Sequence, residues 1–247
     1  MKWESFKGPG CASVAFGDVH NLHPVVPTLQ IIRCLMWALP DTPKTAKLDF
    51  VFINGDFFER LQSFNHPDVH LVIKWVRYFL KMAKKYGIKV RVLEGTPSHD
   101  WKQNLIFKTM NDDDPVTGGV GIGADLKYVD QIHIEYVEEH DMHILYVPDL
   151  KVDASDMWRQ ILDKMRVMDI DQVDYTLVHG AFHHQVPKVM HSSPHITMRI
   201  SSQTLRDVTS LLTTSIRHQF TVTSLEGDRW TACVMVRNMI RVTCIHG

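Results

Sequence analysis

The sequence predicts an α/β fold in which helices cover a largely parallel β-sheet. Three short apolar runs, at 12–16, 48–53 and 88–93, alternate with two segments of helical periodicity, which gives the order β-α-β-α-β. The runs are almost continuously apolar, as expected of strands that are buried on both faces of a parallel sheet. The 247 residues are 45% hydrophobic and 22% charged, which suits one large domain or two small ones with a sizeable core.

Proline and glycine residues mark the limits of the two predicted helices. Pro27 opens the first helix and Pro40 follows its last apolar residue, Leu39. The second helix begins at Val69, carries an apolar stripe at helical spacing with lysines in its last turns, and stops at Gly87. The first helix connects the strands at 12–16 and 48–53, and the second leads into the strand at 88–93.

The second half of the chain predicts a second group of elements. After a loop over 111–123, the runs at 132–137 and 143–147 predict a hairpin or an adjacent pair of strands. Asp153 or Ser155 is expected to cap a helix that extends to about Met168, and the run at 175–178 predicts a further buried strand. Beyond about 200 no hydrophobic period is evident, so we predict one domain over 1–200 and an atypical tail over 201–247.

The amino-acid composition indicates a cellular compartment but does not identify a binding partner. The net charge of −1 does not by itself ask for nucleic acid, although a local basic patch or a bound metal can supply the attraction. The four cysteines are scattered without a CxxC pair, which argues against a disulfide framework or a thiolate zinc site. No apolar run approaches the roughly 20 residues that span a bilayer, so we expect a soluble cytoplasmic protein without a membrane partner.

Side chains that bind metals follow four of the predicted strands. They are Asp18 with His20, Asp56, His99 and His179. Because ligands bind outside the carboxyl ends of strands in open α/β sheets, we expect these side chains to meet at one edge. Each of them alone is more often a turn, cap or satisfied core residue, but together they favour a site.

The types of side chain fit two metal ions. Carboxylates and imidazoles bind Mn, Fe, Zn or similar ions, and no thiolate demands a softer metal. Two such ions about 3.5–4 Å apart can hold a phosphate and activate a water between them. One carboxylate must be shared by both ions, and Asp56 is the best candidate for it.

Four short motifs, in order along the chain, resemble those of the calcineurin-like metallophosphoesterases: Gly17-Asp18-Val19-His20, Gly55-Asp56-Phe57-Phe58-Glu59, Gly95-Thr96-Pro97-Ser98-His99-Asp100 and Val178-His179-Gly180. Within that superfamily, the second motif and Tyr146-Val147-Pro148-Asp149 are similar to SbcD-like DNA repair nucleases, including phage versions. The resemblance covers 12–187. It implies a metallophosphoesterase-type β-sandwich flanked by helices, with a dinuclear metal site at the carboxyl ends of the strands.

The resemblance also implies a role for each residue. Asp18 and His20 would hold the first metal, Asp56 would bridge the two ions, and His179 would hold the second. His99 would protonate the leaving oxygen, for which a histidine is suited by its pKa near the operating pH, and Asp100 would orient the His99 ring. The implied cofactors are two divalent ions, Mn²⁺ before Fe²⁺, Zn²⁺ or Mg²⁺.

The implied activity is hydrolysis of phosphodiester bonds, in DNA, by an exo- or endonuclease of SbcD-like type. The expected partners are then DNA and an SMC-like ATPase. If the gene is phage-encoded, the expected location is the host cytoplasm. Two alternatives stay open. One is a phosphomonoesterase or small-molecule phosphodiesterase with the same site, and the other is an accessory protein that lacks a full metal site.

The sequence departs from the family pattern in two places. Ser98 stands where the superfamily usually has an asparagine that binds the second metal, and a serine hydroxyl is a poorer ligand. No Gly-His-x-His segment follows His179, although five histidines could substitute: His183, His184, His191, His195 and His218.

A frameshift would explain the missing histidine pair. Reading the codons one base earlier permits His-Ile-His from Thr213-Thr214-Ser215-Ile216. Our hypothesis is that about the last 35 to 45 residues are a frameshifted reading, which also fits the lost periodicity. The nucleotide sequence tests it, because a stop codon or the lack of His-x-His in that frame rules it out.

Overall fold

The computed structural model of the chain describes residues 11–62 and 65–180, together with the backbone of two strands at 230–235 and 240–244. Four strands, β1 (Ser13–Phe16), β2 (Phe50–Asn54), β3 (Lys89–Leu93) and β4 (Leu126–Val129), pair in parallel in the order β4-β3-β2-β1. The parallel sheet predicted from the three N-terminal apolar runs is therefore present. All four strands point their carboxyl ends to the same edge.

A second, mixed sheet has the strand order β5-β6-β7. Its members are β5 (His133–Val137), β6 (Met142–Val147) and β7 (Tyr175–Val178). β5 and β6 are antiparallel, which confirms the predicted pair, and β7 lies parallel to β6. The first sheet is completed by β8 (Trp230–Met235), antiparallel to β1, and β9 (Ile240–Cys244), antiparallel to β8.

The helices are α1 (Thr28–Ala38), α2 (Val69–Tyr86), α3 (Leu105–Asn111) and α4 (Ala154–Val167). Gly87 ends α2 as predicted, with φ at +67° and its N–H bonded to the carbonyls of Ala83 and Lys84. Asp153 stands at the N-cap of α4 but makes no capping hydrogen bond through its side chain. None of the helices in the described ranges is long and apolar enough to cross a bilayer.

Alternate residues of the strands divide the interior into layers. Val51, Ile53 and Val90 face a core that also holds apolar residues of α1, α2 and α3. From the same sheet, Phe50 and Leu93 turn the other way and pack with residues of β5 and β6, so the two sheets are stacked. α4 covers the outer face of the second sheet. The molecule is thus an α/β arrangement of two stacked sheets with helices outside.

Two elements escaped the sequence prediction. α3 has seven residues, and β4 has a single fully buried residue, Val129, because it is the edge strand of the parallel sheet. Short elements with partly exposed side chains give little periodic signal. Of the predicted tail the structure describes β8 and β9 alone. The predicted boundary at 200 and the five substitute histidines lie outside the described residues.

Candidate metal centre

Ligand-type side chains from several loops meet at the carboxyl edge of the parallel sheet, in two groups. One group consists of Asp18, Asp56 and His179, and the other of His20, Glu59 and His99. Within each group the ligand atoms lie within 4.8 Å of one another. The groups adjoin, since His20 Nε2 lies 3.9 Å from Asp18 Oδ1.

The loops after β1 and β2 are joined through their backbones. The amide of Asp18 donates to the carbonyl of Gly55 at 3.2 Å, and the amide of His20 donates to the carbonyl of Asp56 at 3.0 Å. Asp18, His20 and Asp56 all have left-handed backbones, with φ of 51°, 50° and 48°. Such a conformation costs about 1–3 kcal/mol at each non-glycine residue and is concentrated at functional sites. The strain falls on the residues that carry the ligands.

Two glycines allow the ligands to approach the backbone closely. Gly55 has φ of +76°, and a Cβ there would overlap the His179 ring. A Cβ at Gly95 would overlap the amide and carboxylate of Asp56 and the carboxylate of Asp100. Glycine is therefore required at both positions for the strand-end loops to close around the site.

His179 is held in the tautomer that suits a ligand. Its Nδ1 lies 2.7 Å from the carbonyl oxygen of Asn54, which can only accept, so Nδ1 carries a proton. Its Nε2 then faces Asp56 Oδ1 at 3.2 Å. In the neutral ring, Nε2 would direct its lone pair at the Asp56 carboxylate. Only a cation, either a proton or a metal ion, can bind both groups at once. Fixing one imidazole nitrogen by a carbonyl is how proteins orient metal-binding histidines.

Charges in this group are strongly coupled. Burial alone would lower the pKa of His179, but Asp56, through its hydrogen bond and charge, and Asp18 raise it to about 9. Burial pushes the pKa of Asp56 upward, yet the hydrogen bond and charge of His179 hold it below its usual range. The pKa of Asp18 is raised by burial and by Asp56, against the pull of His179. Two clustered carboxylates beside one histidine attract positive charge to this group.

The second group is less enclosed. His20 Nδ1 lies 3.0 Å from Glu59 Oε2, and the rings of His20 and His99 meet edge to face with centroids 4.9 Å apart. Burial lowers the pKa of His20, and the charge of His99 adds to this while Asp56 and Glu59 oppose it. His99 Nδ1 is buried and has no hydrogen-bond partner in the part of the chain that the structure describes. A buried, unbonded imidazole nitrogen in such a cluster indicates a polar ligand.

Asp100 has a different position from the one predicted. Its carboxylate is fully buried and accepts hydrogen bonds from the amides of Asp56, Phe58 and Gly95, at 2.8, 3.2 and 2.9 Å, and from the Asn104 side chain at 2.6 Å. None of these donors is His99, so in this structure Asp100 does not orient the His99 ring. It fastens the loops after β2 and β3 to each other. Burial and the Asp56 charge raise the pKa of Asp100 to about 7, against the pull of the Phe58 amide.

Ser98 is also placed differently. Its side chain is exposed and hydrogen-bonds to neither group of described residues. Instead the Thr96 hydroxyl lies between the first-group ligands, donating to Asp56 Oδ2 at 3.2 Å and lying 3.3 Å from His179 Nε2. The turn after β3 directs residue 96 inward and residue 98 outward.

Five residues predicted as ligands or as the acid are brought together: Asp18, His20, Asp56, His99 and His179. Sequence reasoning missed Thr96 and gave Glu59 no role, although Glu59 belongs to the motif that begins at Gly55. A signal for Glu59 existed in its position just after Asp56 on the same strand-end loop. No family model matches the chain, and no curated protein is significantly similar to it in sequence.

Proposed function

We propose that this protein is a metal-dependent phosphodiesterase with a two-ion centre of the calcineurin-like type. The observation that carries the proposal is the adjoining pair of three-residue groups, with Asp18 and His20 only 3.9 Å apart. Two such groups, composed of carboxylates and imidazoles alone, match the ligand preferences of Mn²⁺, Fe²⁺ or Zn²⁺. The stacked sheets flanked by helices are compatible with a metallophosphoesterase-type sandwich.

One contact further supports the binding of such ions. His179 Nε2 faces Asp56 Oδ1 at 3.2 Å, and an ion bound to both would take the place of the proton between them. The resemblance implies Asp18 and His20 on the same ion, but Asp18 groups with Asp56 and His179 instead. These three would hold one ion, and His20 with Glu59 would serve the other, with Asp56 shared. Two bound divalent ions supply a water of lowered pKa and neutralise charge on a phosphate.

The remaining chemistry falls to side chains of the chain itself. His99 lies beside His20 and is half-buried, where its ring can deliver a proton to a leaving oxygen. Asp100 keeps the loops that carry Asp56 and His99 at a fixed separation through its bonds to backbone amides. A rigid arrangement of this kind contributes to the rate by holding the reacting groups in position.

DNA is the proposed substrate, with an SbcD-like nuclease as the activity and an SMC-like ATPase as the proposed assembly partner. Support for this step comes from the Gly55-Asp56-Phe57-Phe58-Glu59 and Tyr146-Val147-Pro148-Asp149 motifs, and not from bulk charge, which is −1. Mn²⁺ is the first metal to test, since mixed carboxylate and imidazole sites accept it readily.

A metal count combined with a nuclease assay tests the proposal on the full chain. We expect two ions per chain after incubation with Mn²⁺, and DNA degradation that requires Mn²⁺ and stops with EDTA. Turnover of nitrophenyl phosphate or cyclic nucleotides with DNA left intact would instead indicate a phosphomonoesterase or small-molecule phosphodiesterase. At most one ion per chain and no hydrolysis of any of these substrates would overturn the proposal in favour of an accessory protein.

A further inference from the structure

Trp101 is a large aromatic residue presented to solvent beside the candidate metal centre. It is 60% exposed and stands two residues after His99. Two residues of trans chain separate their Cα atoms by at most about 7.6 Å. An exposed tryptophan at the rim of a site is more informative than an exposed small apolar residue, because burying its ring would be favourable.

The backbone at this position is held in an unfavourable conformation. Trp101 and Lys102 have φ of 32° and 64°, and neither is a glycine. The Lys102 amide donates to the Glu94 carboxylate, which is 9% exposed and also accepts from the Tyr128 hydroxyl at 2.6 Å. Strained residues persist where surrounding bonds fix them, often at sites of function. The exposed Trp101 ring stands on this strained turn.

A neighbouring side chain keeps this turn next to the site. The Gln103 amide donates to the carbonyls of His99 and Arg60, at 2.8 and 3.2 Å, and its oxygen accepts from the Gln62 amide. The turn that carries Trp101 is thereby fastened to the loop after β2. The Trp101 ring is thus attached to a rigid turn, so a ligand that binds to it costs less conformational entropy.

One cationic side chain lies over the ring, and two more belong to the adjoining loops. Lys151 Nζ lies 5.5 Å from the Trp101 ring centroid, within the range of a cation–π contact. Lys102, the next residue in the chain, is exposed, as is Arg60, whose carbonyl accepts from Gln103. An aromatic platform beside a group of cations is the arrangement that binds single-stranded nucleic acid, by stacking a base and attracting its phosphates.

We propose that Trp101 stacks on a base of a single-stranded nucleic acid, with Lys102 and Lys151 contacting the adjoining phosphates. The proposal deepens the proposed function and rests on it for one point, that the bound strand leads to the metal centre. It assigns the substrate as a strand with an unpaired base at this position. Stacking needs no base sequence, because every base offers a π-face.

Binding of a fluorescent oligo(dT) in EDTA, followed by anisotropy, tests the platform separately from catalysis. We expect Trp101→Ala to weaken binding about 5- to 150-fold, since stacking contributes about 1–3 kcal/mol per base, and Trp101→Phe to weaken it less. Trp37→Ala is the matched control, because Trp37 is 66% exposed on the last turn of α1 and is expected to leave affinity unchanged. Equal melting temperatures and metal content show that each variant is folded.

Two results would overturn the inference: equal affinity of Trp101→Ala and wild type for oligo(dT), or binding by wild type of duplex DNA but not of oligo(dT). Failure of the proposed function looks different. In that case the protein binds at most one ion and hydrolyses nothing, while the difference between Trp101→Ala and Trp37→Ala in EDTA persists.

Discussion

Replacing Asp56 by asparagine is expected to reduce Mn²⁺-dependent DNA hydrolysis by at least about 100-fold, since even residues that only orient metal ligands cost 10- to 100-fold when changed. Asp56 is 6% exposed, and its oxygens face His179 Nε2 at 3.2 Å and the Thr96 hydroxyl at 3.2 Å. An amide removes the negative charge that both groups need and leaves one oxygen to share. We also expect the metal count to fall from two ions per chain.

Asp163→Asn is the matched control for this variant. Asp163 is 57% exposed and pairs with Arg166 on the surface of α4, so the same chemical change there is expected to leave activity and metal content as in wild type. The amide in Asp56→Asn keeps an oxygen for the Thr96 N–H, which donates to Asp56 Oδ1 at 2.6 Å, so the variant should stay folded. Hydrolysis by Asp56→Asn at the wild-type rate would exclude Asp56 as the shared ligand.

The residues that could be predicted from sequence are those whose position follows from the end of a strand. Asp18 and Asp56 follow β1 and β2, neighbouring parallel strands whose carboxyl ends share one edge. His179 follows β7 of the second sheet, and its ring reaches that edge through its bond to the Asn54 carbonyl. The β5–β6 pair was predictable for a similar reason, because its apolar runs are separated by a short polar segment. Topology alone thus placed most of the candidate site.

What sequence could not give is the direction of side chains within a turn. The family resemblance implied that Asp100 orients the His99 ring, yet the Asp100 carboxylate bonds to three backbone amides of the strand-end loops. The same turn directs Thr96, for which no role was predicted, toward the ligands, and leaves Ser98 exposed. Such directions depend on local φ and ψ, which a residue type does not determine when left-handed conformations are involved.

Replacing Glu135 by glutamine is expected to destabilise the protein by about 1.5–3 kcal/mol, the contribution of hydrogen bonds to a charged group, since Arg91 keeps Asp125 as a second partner at 2.9 Å. Arg91 on β3 reaches Glu135 on β5 through two hydrogen bonds of 2.8 Å, and the Tyr146 hydroxyl donates to the same carboxylate at 2.7 Å. The Arg91 and Glu135 side chains are 3% and 10% exposed. This ion pair lies between the two stacked sheets.

Thermal and urea unfolding measure the effect, and the melting temperature should fall by roughly 3–12 °C. Glu139→Gln is the control, because Glu139 pairs with Lys89 at 2.8 Å but is 62% exposed, and we expect its melting temperature to match wild type. Replacing Arg91 and Glu135 together by apolar residues should cost less than either change alone, since no charge is left buried. A melting temperature of Glu135→Gln equal to wild type would contradict a stabilising role.

The same ion pair predicts how stability depends on pH. Burial by itself raises the pKa of Glu135, but the hydrogen bonds and charge of Arg91, with Tyr146 and Lys127, lower it from 4.5 to about 2. Because the folded pKa is depressed, this stabilisation is complete above pH 4.5 and is lost as the pH falls towards 2. The shift corresponds to about 3 kcal/mol. The difference in unfolding free energy between wild type and Glu135→Gln should therefore be largest near neutral pH and narrow between about pH 5 and pH 2. If the difference in unfolding free energy did not change with pH, Arg91 would not lower the pKa of Glu135 in the folded protein.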